Sequence, residues 1–274
     1  KIGSEIVTRL RNQPQNFPPV RSWISAKCEP VNYPRIAKSL LLYQNISEIN
    51  VDIFFAAGRG GFGLIEQDAL VQLTNFTNFC RSLQDSSVRL RKFYLISSLG
   101  AHRSKLSSIY STLCNCIESE AISQFGSNVL IIRLPSIYGF NQNTQKYHGL
   151  VGQLLADYLS SSVSTIYGDI KTVRSFLCSE TFSYNFFQNR TDIPLIERQG
   201  VANIFSTSQH SIGDILSIFY RALKQRPRFL LRRSSPLNSE SHLIYCPGPD
   251  MIVAKDSVYE WILKMRFGSR RQSQ

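Results

Sequence analysis

The chain has 274 residues, of which 43% are hydrophobic and 18% are charged, so it is long enough for one large domain and apolar enough to bury a core. No apolar run approaches the roughly 18 residues of a membrane-spanning helix, and KIGSEIVTRL at the start lacks the apolar stretch of a secretion signal. The formal net charge of +12 favours anionic partners, such as nucleic acid, an acidic membrane or a phosphate-bearing small molecule.

Helix and strand patterns alternate over residues 1–161. The helix patterns repeat apolar residues four positions apart, whereas the strand patterns are short apolar runs that end in small residues, typical of buried parallel strands. In chain order, helices are predicted at 2–12, 35–44, 69–83, 109–126 and 148–161, and strands at 18–25, 51–58, 92–100 and 128–139. The alternation predicts an α/β fold with a doubly wound, Rossmann-like parallel sheet.

The predicted organisation is two domains and a tail. After residue 150 the alternation weakens, and short strand patterns mix with helices, which indicates a smaller C-terminal lobe. We therefore predict a Rossmann-like domain at 1–150, a smaller lobe at 151–267 that is interleaved with the sheet, and a disordered tail at 268–274.

The cysteines and histidines predict no metal site. Cys114 and Cys116 form a C-x-C pair with no second pair to complete a zinc site, and the four histidines have no ligand spacing. Cysteines scattered over a long chain favour reduced thiols and a cytoplasmic protein. The six are Cys28, Cys80, Cys114, Cys116, Cys178 and Cys246.

The ends of the predicted strands are the expected ligand site. In open α/β sheets, ligands bind beyond the carboxyl ends of the strands. The sequence places AAGRGG (56–61), SSLGA (97–101) and LPSIYG (134–139) at these ends.

Residues 107–121 read SSIYSTLCNCIESEA and predict a helix with Tyr110 in its first turn. A tyrosine that acts as a general base must lose its proton near neutral pH, although the pKa of a free phenol is about 10. A neighbouring cation and a hydrogen-bonded serine lower that cost. The position four residues on shares the helix face of Tyr110, but Cys114 stands there and supplies no positive charge.

Several segments, in the same order, resemble the extended short-chain dehydrogenases, specifically the NAD-dependent nucleotide-sugar epimerase/dehydratase group. Gly3 resembles the last glycine of the family's Gly-x-x-Gly-x-x-Gly loop, and VDIFFAAG (51–58) resembles the strand that ends in two alanines. Ser98 and Tyr110 resemble the catalytic serine and tyrosine. Arg174 takes the place of the arginine near the nucleotide diphosphate.

The resemblance covers about residues 1–220 and implies an NAD- or NADP-dependent enzyme acting on a nucleotide sugar, with surface-polysaccharide biosynthesis as a setting. It implies that Tyr110 moves a hydroxyl proton, Ser98 holds the oxygen and Arg174 grips the diphosphate. It implies cofactor contacts at Gly3, Ala56, Ala57, Gly58, Ser97 and Pro135. It also implies that the first domain binds the dinucleotide, that the second binds substrate, and that two chains pair as a homodimer through the tyrosine-bearing helix and its predecessor.

The chain departs from the family's pattern at the site itself. The lysine expected four residues after the tyrosine is Cys114, and Lys105 in the preceding loop is the alternative source of a cation. The sequence begins inside the phosphate loop, so the first strand of the sheet is expected to be missing. Arg21 and Lys27 lie where an acid usually selects NAD, which leaves NADP open.

Two functional hypotheses follow, and a third is weaker. The first is a nucleotide-sugar epimerase, dehydratase or reductase. The second is a catalytically inactive relative that binds a nucleotide or a protein partner, as the loss of the lysine suggests. The third is nucleic-acid binding through the basic stretch 221–233, but no known nucleic-acid module accompanies it, so nucleic acid is not an expected partner.

Overall fold

The structure is a computed structural model, and it describes the chain in several segments. These are 51–56, 64–85, 88–102, 108–141, 146–167, 169–188, 200–225, 227–232, 252–254 and 256–268, together with Ile36, Lys38 and Leu40 in a helix. Two compact units emerge: the first comprises 2–133 and 189–203, and the second comprises 134–188 and 204–274.

The described residues form a series of strands and helices. They are β1 (Val51–Phe55), α1 (Glu66–Asp85), β2 (Leu90–Ser98), α2 (Ile109–Phe125), β3 (Val129–Leu134), β4 (Ser136–Asn141), β5 (Lys146–His148), α3 (Gly149–Leu159), β6 (Ser164–Tyr167), β7 (Val173–Cys178), α4 (Ser179–Gln188), β8 (Val201–Ser206), β9 (Gln209–Ser211), α5 (Ile212–Leu223), β10 (Phe229–Arg232), β11 (Ile252–Ala254) and α6 (Val258–Gly268). Short 3-10 turns at Leu99–His102 and Gly126–Asn128 follow β2 and α2.

The first unit is a parallel sheet with helices between its strands. Its strand order is β1-β2-β3-β8, with β1 parallel to β2 and β3 parallel to the first half of β8. An aromatic core packs α1 and α2 on this sheet: Phe55, Phe76 and Phe93 are buried, and Phe93 stacks on Phe125 at 4.8 Å. The parallel α/β prediction is confirmed.

The helices and strands predicted within 51–134 lie close to their observed positions, whereas the helix predicted at 2–12 and the strand predicted at 18–25 lie outside the described residues. The helix predicted at 69–83 spans Glu66–Asp85, and β3 stops before Pro135. Proline has no N–H to donate and restricts the residue before it, which is why the parallel strand ends there. The expected loss of the family's first strand concerns residues outside the described ones.

The second unit combines a four-stranded sheet, in the order β5-β4-β7-β9, with a parallel pair of β6 and β10. The second half of β8 pairs with β11. Asp256 ties this unit together, because its Oδ2 accepts hydrogen bonds from the Tyr138 hydroxyl at 2.7 Å and from the Cys178 N–H at 2.8 Å. Its carbonyl accepts from the Ser208 hydroxyl at 2.6 Å.

The two compact units differ from the two predicted domains, and they do not show which part of the chain binds cofactor and which binds substrate. By compactness the chain divides after Arg133 and again at 189–203, whereas the sequence placed a boundary at residue 150. That boundary separates a cofactor domain from a substrate lobe, and it stays a prediction.

Two glycines with the same left-handed backbone allow the cost of backbone strain to be distinguished from the cost of a steric clash. Gly149 and Gly200 both have φ of +70°, but a Cβ at Gly149 would lie 2.0 Å from the Ile137 carbonyl oxygen, and a Cβ at Gly200 would meet nothing within 4 Å. We expect Gly200→Ala to cost about 1–2 kcal/mol of unfolding free energy, and Gly149→Ala to cost at least about 3 kcal/mol, because backbone must move. Urea unfolding measures both, and equal costs would contradict this account.

Candidate active site

The site begins where β2 ends in Ser97 and Ser98. The chain turns sharply there, since the Gly100 N–H donates to the Ser98 Oγ at 3.2 Å. A Cβ at Gly100 would lie 3.4 Å from both the Ser98 and the Ser111 Oγ atoms. The end of β2 and the first turn of α2 are therefore packed against each other at this point.

Helix α2 starts at a serine cap that places Tyr110. The Ser108 side chain accepts a hydrogen bond from the Ser111 N–H at 3.1 Å, which satisfies one of the free donors of the first turn. Tyr110 lies in this first turn. Cys114 and Glu118 follow at intervals of four residues and share its helix face.

A row of interacting side chains runs along that face of α2. Ser98 and Cys114 lie close enough to the Tyr110 hydroxyl to affect its pKa. Ser97 and Tyr110 affect the pKa of the Cys114 thiol in the same way. The Ser97 hydroxyl donates to the Glu118 Oε1 at 2.5 Å. The role of Ser98 and Tyr110 as a catalytic pair stays a prediction.

An ion pair closes the far end of the row. Arg133 on β3 donates to Glu118 from its Nη2 at 2.6 Å and from its Nε at 3.0 Å and 3.2 Å. The side chains of Arg133 and Glu118 are 15% and 5% exposed. The guanidinium is the cation of the row, but its charge is matched by the carboxylate beside it.

The Tyr110 hydroxyl is held in its protonated form. Burial raises its pKa well above the ordinary value of 10, the neighbouring Cys114 raises it further, and the hydrogen bond from Ser98 opposes the change without reversing it. A base that works at neutral pH needs the opposite shift. The serine contact alone does not supply it.

The Cys114 thiol is also protonated at neutral pH. Burial raises its pKa from 9.0 to about 11, and the Glu118 charge adds to the rise, while hydrogen bonds from Tyr110 and Ser97 and the Arg133 charge lower it. The thiol is therefore neither a cation nor a reactive thiolate under ordinary conditions.

The structure brings together four of the predicted residues, and the others lie elsewhere in the first unit, in the second unit or outside the described residues. Ser97, Ser98, Tyr110 and Cys114 form the row in the first unit, and Ala56 follows β1 in the same unit. Pro135, between β3 and β4, and Arg174, on β7, belong to the second unit. Gly3, Ala57, Gly58 and the alternative cation Lys105 lie outside the described residues.

Sequence reasoning gave Glu118 and Arg133 no role at this site. A signal was available for the arginine, because NVLIIRL is a buried apolar strand and a charge inside it requires a partner. The partner, Glu118, lies fifteen residues earlier on the neighbouring helix.

The described residues do not supply what the nicotinamide end of a dinucleotide requires in the family that the sequence resembles. There, a lysine ammonium four residues after the tyrosine holds the nicotinamide ribose. Here the Cys114 side chain is uncharged, the residue is 8% exposed, and its thiol is engaged by Tyr110 and Ser97.

Two further observations concern the cysteines and the helices. Among the described residues, Cys80, Cys114, Cys116 and Cys178 form no disulfide. No helix in the described part of the chain is long and apolar enough to cross a membrane.

The ion pair predicts a strongly non-additive pair of substitutions. Arg133→Met leaves the buried Glu118 carboxylate without its counter-charge, and we expect a loss of about 3–5 kcal/mol of unfolding free energy. Glu118→Leu combined with Arg133→Met removes both charges and is expected to cost much less than the single change. Urea unfolding of the single and double variants measures the coupling, and additive costs would rule out the pair as a unit.

The raised pKa of Cys114 predicts how stability depends on alkaline pH. Burial raises the pKa of Cys114 in the folded state from the ordinary 9.0 to about 11. The protonated thiol therefore contributes its full share of the folding stability below pH 9, and this contribution is lost as the pH rises through 11. We expect the wild type to lose about 2–3 kcal/mol more than Cys114→Ala across this window. The exposed Cys116 is the control, and Cys116→Ala should follow the wild-type curve. Identical curves for all three proteins would refute the assignment.

Comparison with known proteins gives a consistent result at the level of fold. No protein-family model and no curated protein matches the chain. MoeE5 in complex with UDP-glucose and NAD is similar at a TM-score of 0.67 and 16% identity, over 100% of this chain and 96% of that one. UDP-glucose 4-epimerase from Thermotoga maritima gives 0.67 and 14%, over 100% and 97%.

A third structure extends the likeness to a reductase. A GDP-6-OMe-4-keto-L-xylo-heptose reductase from C. jejuni has a TM-score of 0.67 and 13% identity, over 99% of this chain and 95% of that one. At such identities a likeness establishes the fold. The protein has the Rossmann-like α/β fold of nucleotide-sugar epimerases and reductases, the fold that its resemblance to the extended short-chain dehydrogenases predicted.

Proposed function

We propose that this protein binds a nucleotide sugar on an epimerase fold and does not carry out the tyrosine-dependent proton transfer at neutral pH. The observation that carries the proposal is the pairing of Tyr110 with the neutral, buried Cys114 thiol. The first-choice hypothesis from sequence, an active enzyme, thereby becomes the second candidate.

The raised pKa of Tyr110 opposes turnover at neutral pH. Oxidation of a sugar hydroxyl requires that a base take its proton while hydride leaves the same carbon. A tyrosine with the ordinary pKa of about 10 is ionised in only about one molecule in a thousand at pH 7. Burial and Cys114 raise the Tyr110 pKa above this value. Each further unit of pKa lowers the ionised fraction of the tyrosine by another factor of about ten.

Binding of a nucleotide sugar is supported by Arg174. This residue is half-buried and lies on β7, where it is opposite His210 of the antiparallel strand β9. A guanidinium stays charged at every physiological pH and matches two oxygens of a diphosphate at once. Burial lowers the pKa of His210, with Arg221 adding to the effect against the opposing charge of Asp214. The imidazole is therefore neutral at pH 7, and the positive charge at this strand pair comes from Arg174.

A nicotinamide dinucleotide belongs to the proposal in a reduced role. MoeE5 was solved with NAD, and the parallel strands of the first unit form the kind of platform on which dinucleotides lie. Because Cys114 replaces the ribose-holding cation, we propose that NAD or NADP is bound weakly and exchanges no hydride. The homodimer, the cytoplasmic location and the surface-polysaccharide setting are further proposals that rest on the resemblance.

One contact favours catalysis as the second candidate. Ser98 lies close enough to Tyr110 to lower its pKa, and a reacting hydroxyl would use both side chains. If the site is active, its rate must rise steeply with pH, since Tyr110 acts as a base only when ionised.

The test measures binding and turnover on the same protein. UDP-glucose, UDP-N-acetylglucosamine and a GDP-hexose are titrated calorimetrically into the wild type, and products with NAD or NADP present are separated by chromatography at pH 7 and pH 10. We expect binding of at least one sugar nucleotide with no product at pH 7. Product formation by the wild type at pH 7 would establish the second candidate, and absence of all binding would refute both.

Two substitutions locate the binding and the lost chemistry. Arg174→Gln should weaken sugar-nucleotide binding by about tenfold or more, the equivalent of one charge-assisted hydrogen bond, whereas the exposed Lys171→Gln on the same segment should not. Cys114→Lys should tighten NAD binding relative to Cys114→Ala, because an ammonium there both meets the ribose and lowers the Tyr110 pKa. Equal NAD affinities for the two Cys114 variants would exclude position 114 from the dinucleotide site.

A further inference from the structure

The parallel pair of β6 and β10 has an outward face of mixed basic and apolar side chains. The register joins Phe229 to Ser164 and Leu230 to Thr165. Ser164 is buried and Thr165 is exposed. On the two strands, Thr165, Leu230, Leu231 and Arg232 are exposed, and the exposed Val163 and Arg228 directly precede the strands. These six residues are the outward face of the pair.

The apolar members of this face are unusually exposed. Leu230 is 59% exposed and Val163 is 51% exposed. Leu159, at the end of α3, is 53% exposed and leads directly into the segment before β6. Neighbouring exposed aliphatic side chains mark an interaction site more often than scattered ones do.

Several basic side chains belong to the same strand pair and to the helix end that precedes it. Arg221 and Lys224 at the end of α5 are exposed, as are Arg228 and Arg232. A hydrogen bond of 3.2 Å from the Tyr158 hydroxyl to Gln225 brings the ends of α3 and α5 together. The Ser164 N–H donates to the Arg228 carbonyl at 2.9 Å, which fixes the start of the strand pair beside them.

The face carries no balancing negative charge from its own segments. Residues 158–167 and 215–232 contain no Asp or Glu. Three acids flank these segments in the sequence. Asp157 accepts hydrogen bonds from Gln153 at 2.8 Å and from the buried Ser164 at 2.7 Å, Asp169 accepts one from the Lys171 N–H at 2.9 Å, and Asp214 accepts one from the Ser211 N–H at 2.9 Å. Within the two segments themselves, the charged side chains are all basic.

We propose that this face docks on an anionic membrane surface, with the arginines at the lipid phosphates and Leu230, Val163 and Leu159 at the boundary of the acyl chains. Alternation of arginine and leucine along one strand provides both terms that interfacial binding requires, charge attraction and apolar burial. A nucleic-acid strand would use the charge, but Leu230 and Val163 offer no aromatic ring for its bases to stack on.

The experiment is co-sedimentation of the full chain with vesicles of phosphatidylcholine alone and of equal parts phosphatidylcholine and phosphatidylglycerol. We expect binding to the mixed vesicles only, weakened by salt because exposed charges are screened. Arg228→Gln should reduce the partition coefficient about fivefold, and Leu230→Gln should reduce it by about tenfold. Thermal unfolding confirms that each variant is folded.

Two matched variants control for charge and exposure. Arg81→Gln removes one exposed charge elsewhere, and Ile65→Gln removes an apolar side chain that is 57% exposed and far from this face in sequence. Both should bind vesicles as the wild type does. Equal losses in control and test variants would overturn the proposal, as would absence of binding to mixed vesicles. Displacement by single-stranded RNA combined with wild-type binding by Leu230→Gln would overturn it in favour of a general polyanion surface.

Discussion

The buried pair of Glu118 and Arg133 is the interaction on which the first unit's site depends. It joins α2 to β3 and, through the Ser97 hydroxyl, to the end of β2. Burying two charges costs free energy that only close contact and full hydrogen bonding return. The pair therefore fixes the rotation of α2, and with it the position of Tyr110 two turns earlier on the same face. Tyr110 is thereby placed beside Ser98, as the pKa contributions of its neighbours indicate.

A thiol at position 114 suits this arrangement electrostatically. The row already contains one cation and one anion, and they cancel. A lysine would add an unmatched charge to a face of α2 that is largely buried, which destabilises the fold but lowers the pKa of the neighbouring phenol. Cysteine removes that cost and the benefit with it. Active sites retain such strained charges because catalysis needs them, and the neutral thiol is therefore consistent with the proposal of binding without turnover.

The fold was predictable where pattern and chemistry agree, and the site only where neighbours are close in sequence. Apolar strands such as VDIFF and VLIIRL are recognisable from their composition, and Pro135 marks the end of the second. Tyr110 and Cys114 are four residues apart on a helix, so their contact follows from helical geometry. The Ser97–Glu118–Arg133 link joins three separate elements, and the Asp256 contact to Tyr138 spans 118 residues. Pairings of that kind are set by tertiary packing, which no local pattern reports.

Tyr110 and Tyr138 both have a raised pKa, but they have different neighbours. Burial and then the Asp256 charge raise the pKa of Tyr138, which donates its proton to Asp256 in a hydrogen bond that closes the second unit. Burial and then Cys114 raise the pKa of Tyr110 in the same direction. Tyr138 is a structural donor, and for that role a tightly held proton is an advantage. Tyr110 lies beside Ser98 and Cys114, but the direction of its pKa shift is the same. Its environment is that of a tyrosine that keeps its proton, which supports the proposal of sugar-nucleotide binding without tyrosine-dependent proton transfer.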